Sequence, residues 1–319
     1  MEENNITNMS EDSGKGHSLF GTKKELESQR YFLKDKTIGI SISESDNLSE
    51  LGYGVSHLRD AIIETARYIL AMGGKLAYGG DMRVGGFTEL LFELLAYYKA
   101  DKKLLPNERF YSYLAYPIST TLTKEKEAEL IRNVTFIKVP PPDGLVQNIG
   151  EFLKPDSAAN LYVWSKCLTK MREEMEGKCD ARIFIGGKTS GFNGRYPGIF
   201  EEFVVAVEKK HPVYLVGAFG GATRDIIAAL NGEKPESFTD QYHLKREIYR
   251  ELFDLYNEKH SNSKIDFQEL NSFVQKLGVK GLSRLNGLDE KDNMRLAVTP
   301  HISEIIYLVL KGLNNCSEM

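Results

Sequence analysis

Two adjacent carboxylates, Glu201 and Glu202, stand in the first turns of a helix that opens at Pro197-Gly198. Ahead of them runs a loop with paired glycines at Gly186-Gly187, further glycines at Gly191 and Gly194, and cations at Lys188 and Arg195. Glycine leaves backbone N–H groups open to an anion, and the unpaired N–H groups of a helix's first turn point at one. That chemistry is phosphate binding. Carboxylates in the same turn oppose it, so Glu201 and Glu202 are better suited to a ribose hydroxyl, a base or a water, or to general acid–base work.

The arrangement recurs. Gly79-Gly80-Asp81-Met82-Arg83-Val84-Gly85-Gly86 precedes FTELLFELLAYY, which carries Thr88 and Glu89 in its first turn. Arg83 can pair a phosphate bidentately, or it can pair with Asp81. A third loop, Gly217-Ala218-Phe219-Gly220-Gly221-Ala222, precedes TRDIIAAL, with Arg224 and Asp225 at its start. Ser41, Ser43, Glu44 and Ser45 end another apolar run; they read as ligand contacts or as an ordinary polar loop with a helix cap. Glycines also serve plain turns, but three such loops, each after a strand and before a helix, predict a nucleotide-like ligand.

Residues so scattered need a sheet whose carboxyl edge collects them. Residues 37–43 (TIGISIS), 75–78, 109–115, 134–139, 181–185 and 212–216 read as strands. Apolar spacing predicts helices over 55–72, 87–98, 123–133, 157–175, the stretch ending at 209, and 223–230, with further helical segments near 242–256, 267–277 and 301–313. Alternating strands and helices predict an α/β, Rossmann-like, doubly wound fold with a mostly parallel sheet and a helical C-terminal extension. The expected divisions are a disordered tail over 1–35, polar and rich in Gly, Ser and Asn, a nucleotide-binding domain over 36–231, and an extension over 232–319 packed on the same domain.

Composition narrows the class. Hydrophobic residues make 41% of the chain and charged residues 27%, as in ordinary globular proteins. A net charge of −4 argues against a nucleic-acid partner. No apolar run is long enough to cross a membrane. The three cysteines, Cys167, Cys179 and Cys316, lack metal-ligand spacing and suggest reduced thiols in a cytoplasm. No metal and no cofactor is expected. Residues 257–270 imitate half of a calcium loop, but the oxygen set is poor and Ser263 stands where the turn needs glycine.

Taken together, SISESDNL, YGGDMRVGGFTELL, IGGKTSGFNGRYPGIFEE and YLVGAFGGATRD resemble the SLOG (Smf/DprA–LOG) superfamily, in its bacterial branch with YGGDxRxGGFTELL and GRxPGIxEE motifs. The resemblance implies a Rossmann-like fold that binds nucleotides or their derivatives. LOG enzymes are phosphoribohydrolases with a PGGxGTxxE loop; Gly198 and Glu202 fall on its second GT glycine and its glutamate, while Ile199 stands in place of the threonine. Other relatives, the sensor domain of the Thoeris antiphage effector and the N-terminal region of TRPM channels, recognise NAD- or ADP-ribose-derived ligands.

Three functions follow as expectations. The first is a sensor of a NAD-, ADP-ribose- or cyclic-nucleotide-like ligand in bacterial stress or antiviral, antiphage signalling. There Gly79, Gly80, Gly186, Gly187 and Gly198 close on phosphate, Arg83 and Arg195 pair with it, and Ser41, Ser43 and Glu202 hold ribose or base. Glu44, Gly86, Thr88, Lys188, Pro197, Gly217, Gly220, Gly221 and Arg224 complete the candidate lining. The expected partners are that small molecule, a second copy in a homo-oligomer and a separate effector protein. The second is a nucleotide N-glycosidase, a hydrolase with Glu202 as catalytic carboxylate and Glu201 or Asp81 as the second. The third is a nucleotide fold that has lost its ligand and acts by oligomerising.

Overall fold

The computed structural model describes residues 31–80, 85–97 and 108–317. Most of the expected tail, and the candidate residues Asp81 and Arg83, lie outside the described residues. Tyr31 to Lys36 are described: Leu33 is buried in the core, and its N–H donates to the carbonyl of Met72 at 3.2 Å.

Six parallel strands form the sheet: β1 Thr37–Ser43, β2 Lys75–Gly79, β3 Phe110–Ala115, β4 Thr135–Val139, β5 Ala181–Gly186 and β6 Val213–Val216. Their spatial order is β4-β3-β2-β1-β5-β6. The chain builds outward from β1 to β4, then returns to lay β5 on the other side of β1. That reversal opens a crevice above the carboxyl ends of β1 and β5, the usual ligand position in such sheets.

The helices are α1 Val55–Ala71, α2 Phe87–Tyr97, α3 Lys124–Leu130, α4 Ala158–Glu176, α5 Gly198–Glu208, α6 Gly221–Leu230, α7 Asp240–His243, α8 Glu247–Lys259, α9 Phe267–Asn286, α10 Glu290–Val298 and α11 Ile302–Ser317. Alternate strand residues point to opposite faces. Ile38, Ile40 and Ile42 of β1 join Ile183 and Ile185 of β5 under α1, α2 and α11. On the other face, Phe184, Val213 and Leu215 meet α5, α6, α8 and α9, while Ala77, Tyr113 and Val139 meet α4 through Trp164, Leu168 and Met171. The helices after Asn231 therefore pack on both faces of the sheet.

Two local signals read differently in three dimensions. The segment imitating a calcium loop is a helix cap: Asp266 accepts from the N–H groups of Gln268 and Glu269 at 2.9 and 2.8 Å. The helix expected to stop at Leu277 kinks at Gly278, which sits at φ 59°, and continues to Asn286. Gly287 at φ 68° ends it in the left-handed conformation.

Candidate functional site

A cavity of about 370 Å³ lies at the carboxyl edge above β2, β1 and β5. Ser41 to Glu44, Tyr78 to Gly80, Gly85 to Phe87, Lys188, Phe192 and the first turns of α5 line it. Arg59 from α1 and Leu168, Met171 and Arg172 from α4 close its walls, with Ile118.

Glu201 and Glu202 part company here. Successive residues on an α-helix point about 100° apart, so only one of them can face the cavity. Glu202 does. It accepts from the Ser41 hydroxyl, from Arg182 Nη1 at 3.1 Å and from Arg172 Nε at 3.4 Å. Glu201 is not among the lining residues. Its carboxylate pairs with Arg172, accepts from Arg195 Nε at 2.6 Å and from Thr169 Oγ1 at 2.5 Å. Burial works to raise its pKa, but Arg172 and Arg195 outweigh burial and hold it below the ordinary carboxylate value.

Below Glu202 sits Arg182 of β5, which sequence reasoning left unassigned. Its guanidinium is fully buried and donates to Glu176 at 2.5 Å, to Glu202, and to Ser41 Oγ at 3.0 Å. His211 completes the chain, with Nδ1 2.7 Å from the other Glu176 oxygen. Gly39, the register partner of Arg182 on β1, makes the room: a Cβ there would lie 3.2 Å from the guanidinium carbon. Arg172, Arg182 and Arg195 thus balance Glu176, Glu201 and Glu202 in one neutral network. Buried ion pairs add little net stability, but removing one partner strands the other's charge.

Two cavity cations stand outside that network. Arg59 donates to the Gly85 carbonyl, and the Lys188 side chain is exposed. Among the described residues no carboxylate pairs with either. Glu44 contributes an exposed carboxylate to the rim. The loop that carries Lys188 is fixed from both sides. Ser43 Oγ accepts from the Lys188 N–H at 3.1 Å, and Asp46 accepts from Ser190 Oγ at 3.1 Å. Arg246 donates to the Phe192 carbonyl at 3.0 Å, and the Tyr249 hydroxyl donates to that of Arg195.

Of the residues singled out in the sequence, Ser41, Ser43, Glu44, Gly79, Gly80, Gly86, Lys188, Gly198 and Glu202 line the cavity together. Glu201, Thr88, Gly186, Gly187, Arg195, Pro197, Gly217, Gly220, Gly221 and Arg224 do not. Thr88 is buried beneath Gly80, and Pro197 caps α5. Gly186, Gly187, Gly217, Gly220 and Gly221 are spent on packing: a Cβ on any of them would collide with Ser43, Ile199, Ile227, Asn47 or Gly187. Arg224 is exposed on α6. Missed were Arg59, which nothing in HLRDAIIE sets apart, and Arg182, whose signal was visible: a charge inside an apolar strand is rarely buried without partners.

The chain belongs to the SLOG cluster2 family, whose model matches residues 32–296. That match continues past Asn231 through α9 into α10, so α7 to α9 and most of α10 lie within the family's extent, while α11 lies beyond it. No curated protein matches the chain.

Proposed function

We propose that this SLOG cluster2 protein binds a nucleotide-derived, phosphate-bearing small molecule in the crevice above β1 and β5. The observation that carries the reading is the meeting of the Gly80 and Gly86 backbone, the N-terminus of α5 at Gly198, and two cations that pair with no carboxylate among the described residues, in one cavity. Exposed N–H groups, a helix N-terminus and free positive charge are what a phosphate needs. The volume of about 370 Å³ falls in the range of small-molecule sites. Glu202 and Ser41 then meet the ribose, and the apolar wall of Ile118, Leu168, Met171 and Phe192 meets the base.

Binding without cleavage is the reading put forward, ahead of N-glycosidic hydrolysis. Hydrolysis of a glycosidic bond commonly uses two carboxylates facing one bond. Glu201 is committed to Arg172 and Arg195 away from the cavity, and both oxygens of Glu202 already accept from Arg172, Arg182 and Ser41. A sensor of a NAD-, ADP-ribose- or cyclic-nucleotide-like signal in bacterial stress or antiphage defence, read out through a homo-oligomer or an effector protein, fits this assignment. The test is incubation with AMP, NAD and ADP-ribose followed by chromatography. Bound ligand recovered intact is expected. Release of free base or ribose 5-phosphate that disappears in Glu202→Gln would replace the sensor with an N-glycosidase.

A further inference from the structure

A second cavity, of about 410 Å³, opens at the same edge of the sheet, above the ends of β3 and β4. The 3₁₀ turn Ile118–Thr121 stands between the two. Ile118 lines the first cavity, while its neighbours Ser119 and Thr120 line the second. Neighbouring strands lie about 4.8 Å apart, so the end of β4 is roughly 14 Å from the end of β1. That is the span of two nucleoside-sized groups joined by a short linker.

The two compartments differ in chemistry. The first holds Arg59 and Lys188, neither of which pairs with a carboxylate among the described residues. The second has one cation, Lys138, and its ammonium is already 2.7 Å from Glu127. Its other walls are Tyr116, Leu122, Pro140, Pro141 and Ile149. Such a site disfavours a phosphate and favours a flat or sugar-like uncharged group. We infer that the second cavity is a subsite for the far end of the same ligand. The ligand is two-headed: a nucleoside phosphate lies over β1 and β5, and an uncharged head crosses Ile118 to rest between Ser119 and Pro141. A mononucleotide fills only the first compartment. This inference rests on the nucleotide reading of the first cavity.

The test compares AMP with ADP-ribose by calorimetry on the native chain and on Ser119→Trp, which fills the second cavity and leaves the first untouched. Ile149→Trp is the companion variant; Ile149 is 55% exposed, so the larger side chain costs no core packing. The native protein should bind ADP-ribose at least tenfold more tightly than AMP. Both variants should bring ADP-ribose down to the affinity of AMP while leaving AMP unchanged. Equal affinities for the two ligands, or ADP-ribose binding that neither variant weakens, would overturn the subsite while leaving the nucleotide site intact. No binding of either ligand to the native protein would overturn both readings.

Discussion

The loops after β5 and after β6 carry the same signature of paired glycines, yet they serve different ends. In the loop after β6, Gly220 and Gly221 sit at φ 72° and 62°, and a Cβ on either would strike Asn47 or the Gly187 carbonyl. Backbone is kept bare there so that another backbone can approach, as when the Ala222 N–H meets the Gly187 carbonyl at 2.9 Å. The loop after β5 does both jobs. Gly186 and Gly187 are packed, while Gly191 has nothing within 4 Å and Gly198 opens onto the cavity. A glycine therefore marks a close approach without saying whether protein or ligand makes it. What separates the cases is whether the neighbouring side chains have already filled the space.

The contrast between a filled region and an open one can be broken by substitution. The largest effect is expected in the filled region, at Arg182→Met. It strands Glu176 and Glu202 without their buried partner and should cost about 3–5 kcal/mol in urea denaturation. A loss under about 1 kcal/mol would mean that the network does not hold the site. Next, Gly221→Ala combines left-handed backbone with a collision and should cost about 2–5 kcal/mol. Gly191→Ala, also at positive φ (65°) but facing open space, should lose only about 1–2 kcal/mol. Equal losses would erase the distinction between the two loops.

A third effect is one of pH. Burial pushes the His243 imidazole down to about 4, and its ring stacks on Phe267 with centroids 3.9 Å apart. Nε2 lies 2.7 Å from the Ser237 carbonyl. The unfolded chain takes up this proton near the ordinary value of 6.5, the folded chain only near 4. The unfolded state therefore binds more protons in that window, and stability falls as pH drops from 6.5 to 4, by roughly 2–3 kcal/mol. His243→Phe should flatten the fall; an unchanged pH profile would contradict it. Glu201 behaves differently: its lowered pKa gives stability that is present above the ordinary value and lost only as pH drops further. The smallest effect belongs to the open region. Gly198→Ala places a methyl 3.0 Å from Arg172 Nη2 at the mouth of α5. It should weaken AMP binding about five- to tenfold in calorimetry, with stability changed by under about 0.5 kcal/mol.

Much of the scaffold was legible because its signals are local. The six strands fall within a residue or two of their apolar runs, and their ends place Ser41, Gly79 and Gly186 at one edge. Helix α10 escaped notice because EKDNMRLAV is mostly polar; only Leu296 and Ala297 give it apolar burial, beside the buried Asp292 and Asn293. The site was legible in its loops and not in its pairing. Arg195 looked like a phosphate ligand, yet it pairs with Glu201, since the turn of α5 that sends Glu202 into the cavity sends Glu201 toward α4. Arg172 of α4 is likewise spent by the fold on both glutamates. Pairings of this kind depend on which helix lies across the sheet, which no single stretch of sequence records.

The central claim is that Arg59 and Lys188 are the cations that receive a phosphate in the crevice. Calorimetric titration of ADP-ribose into the native chain and into the Arg59→Ala/Lys188→Ala double variant tests it most directly. Saturable binding to the native chain, weakened at least a hundredfold in a double variant that melts at the same temperature, is the predicted result. Equal affinity in the two proteins, or no binding to the native chain, would contradict it.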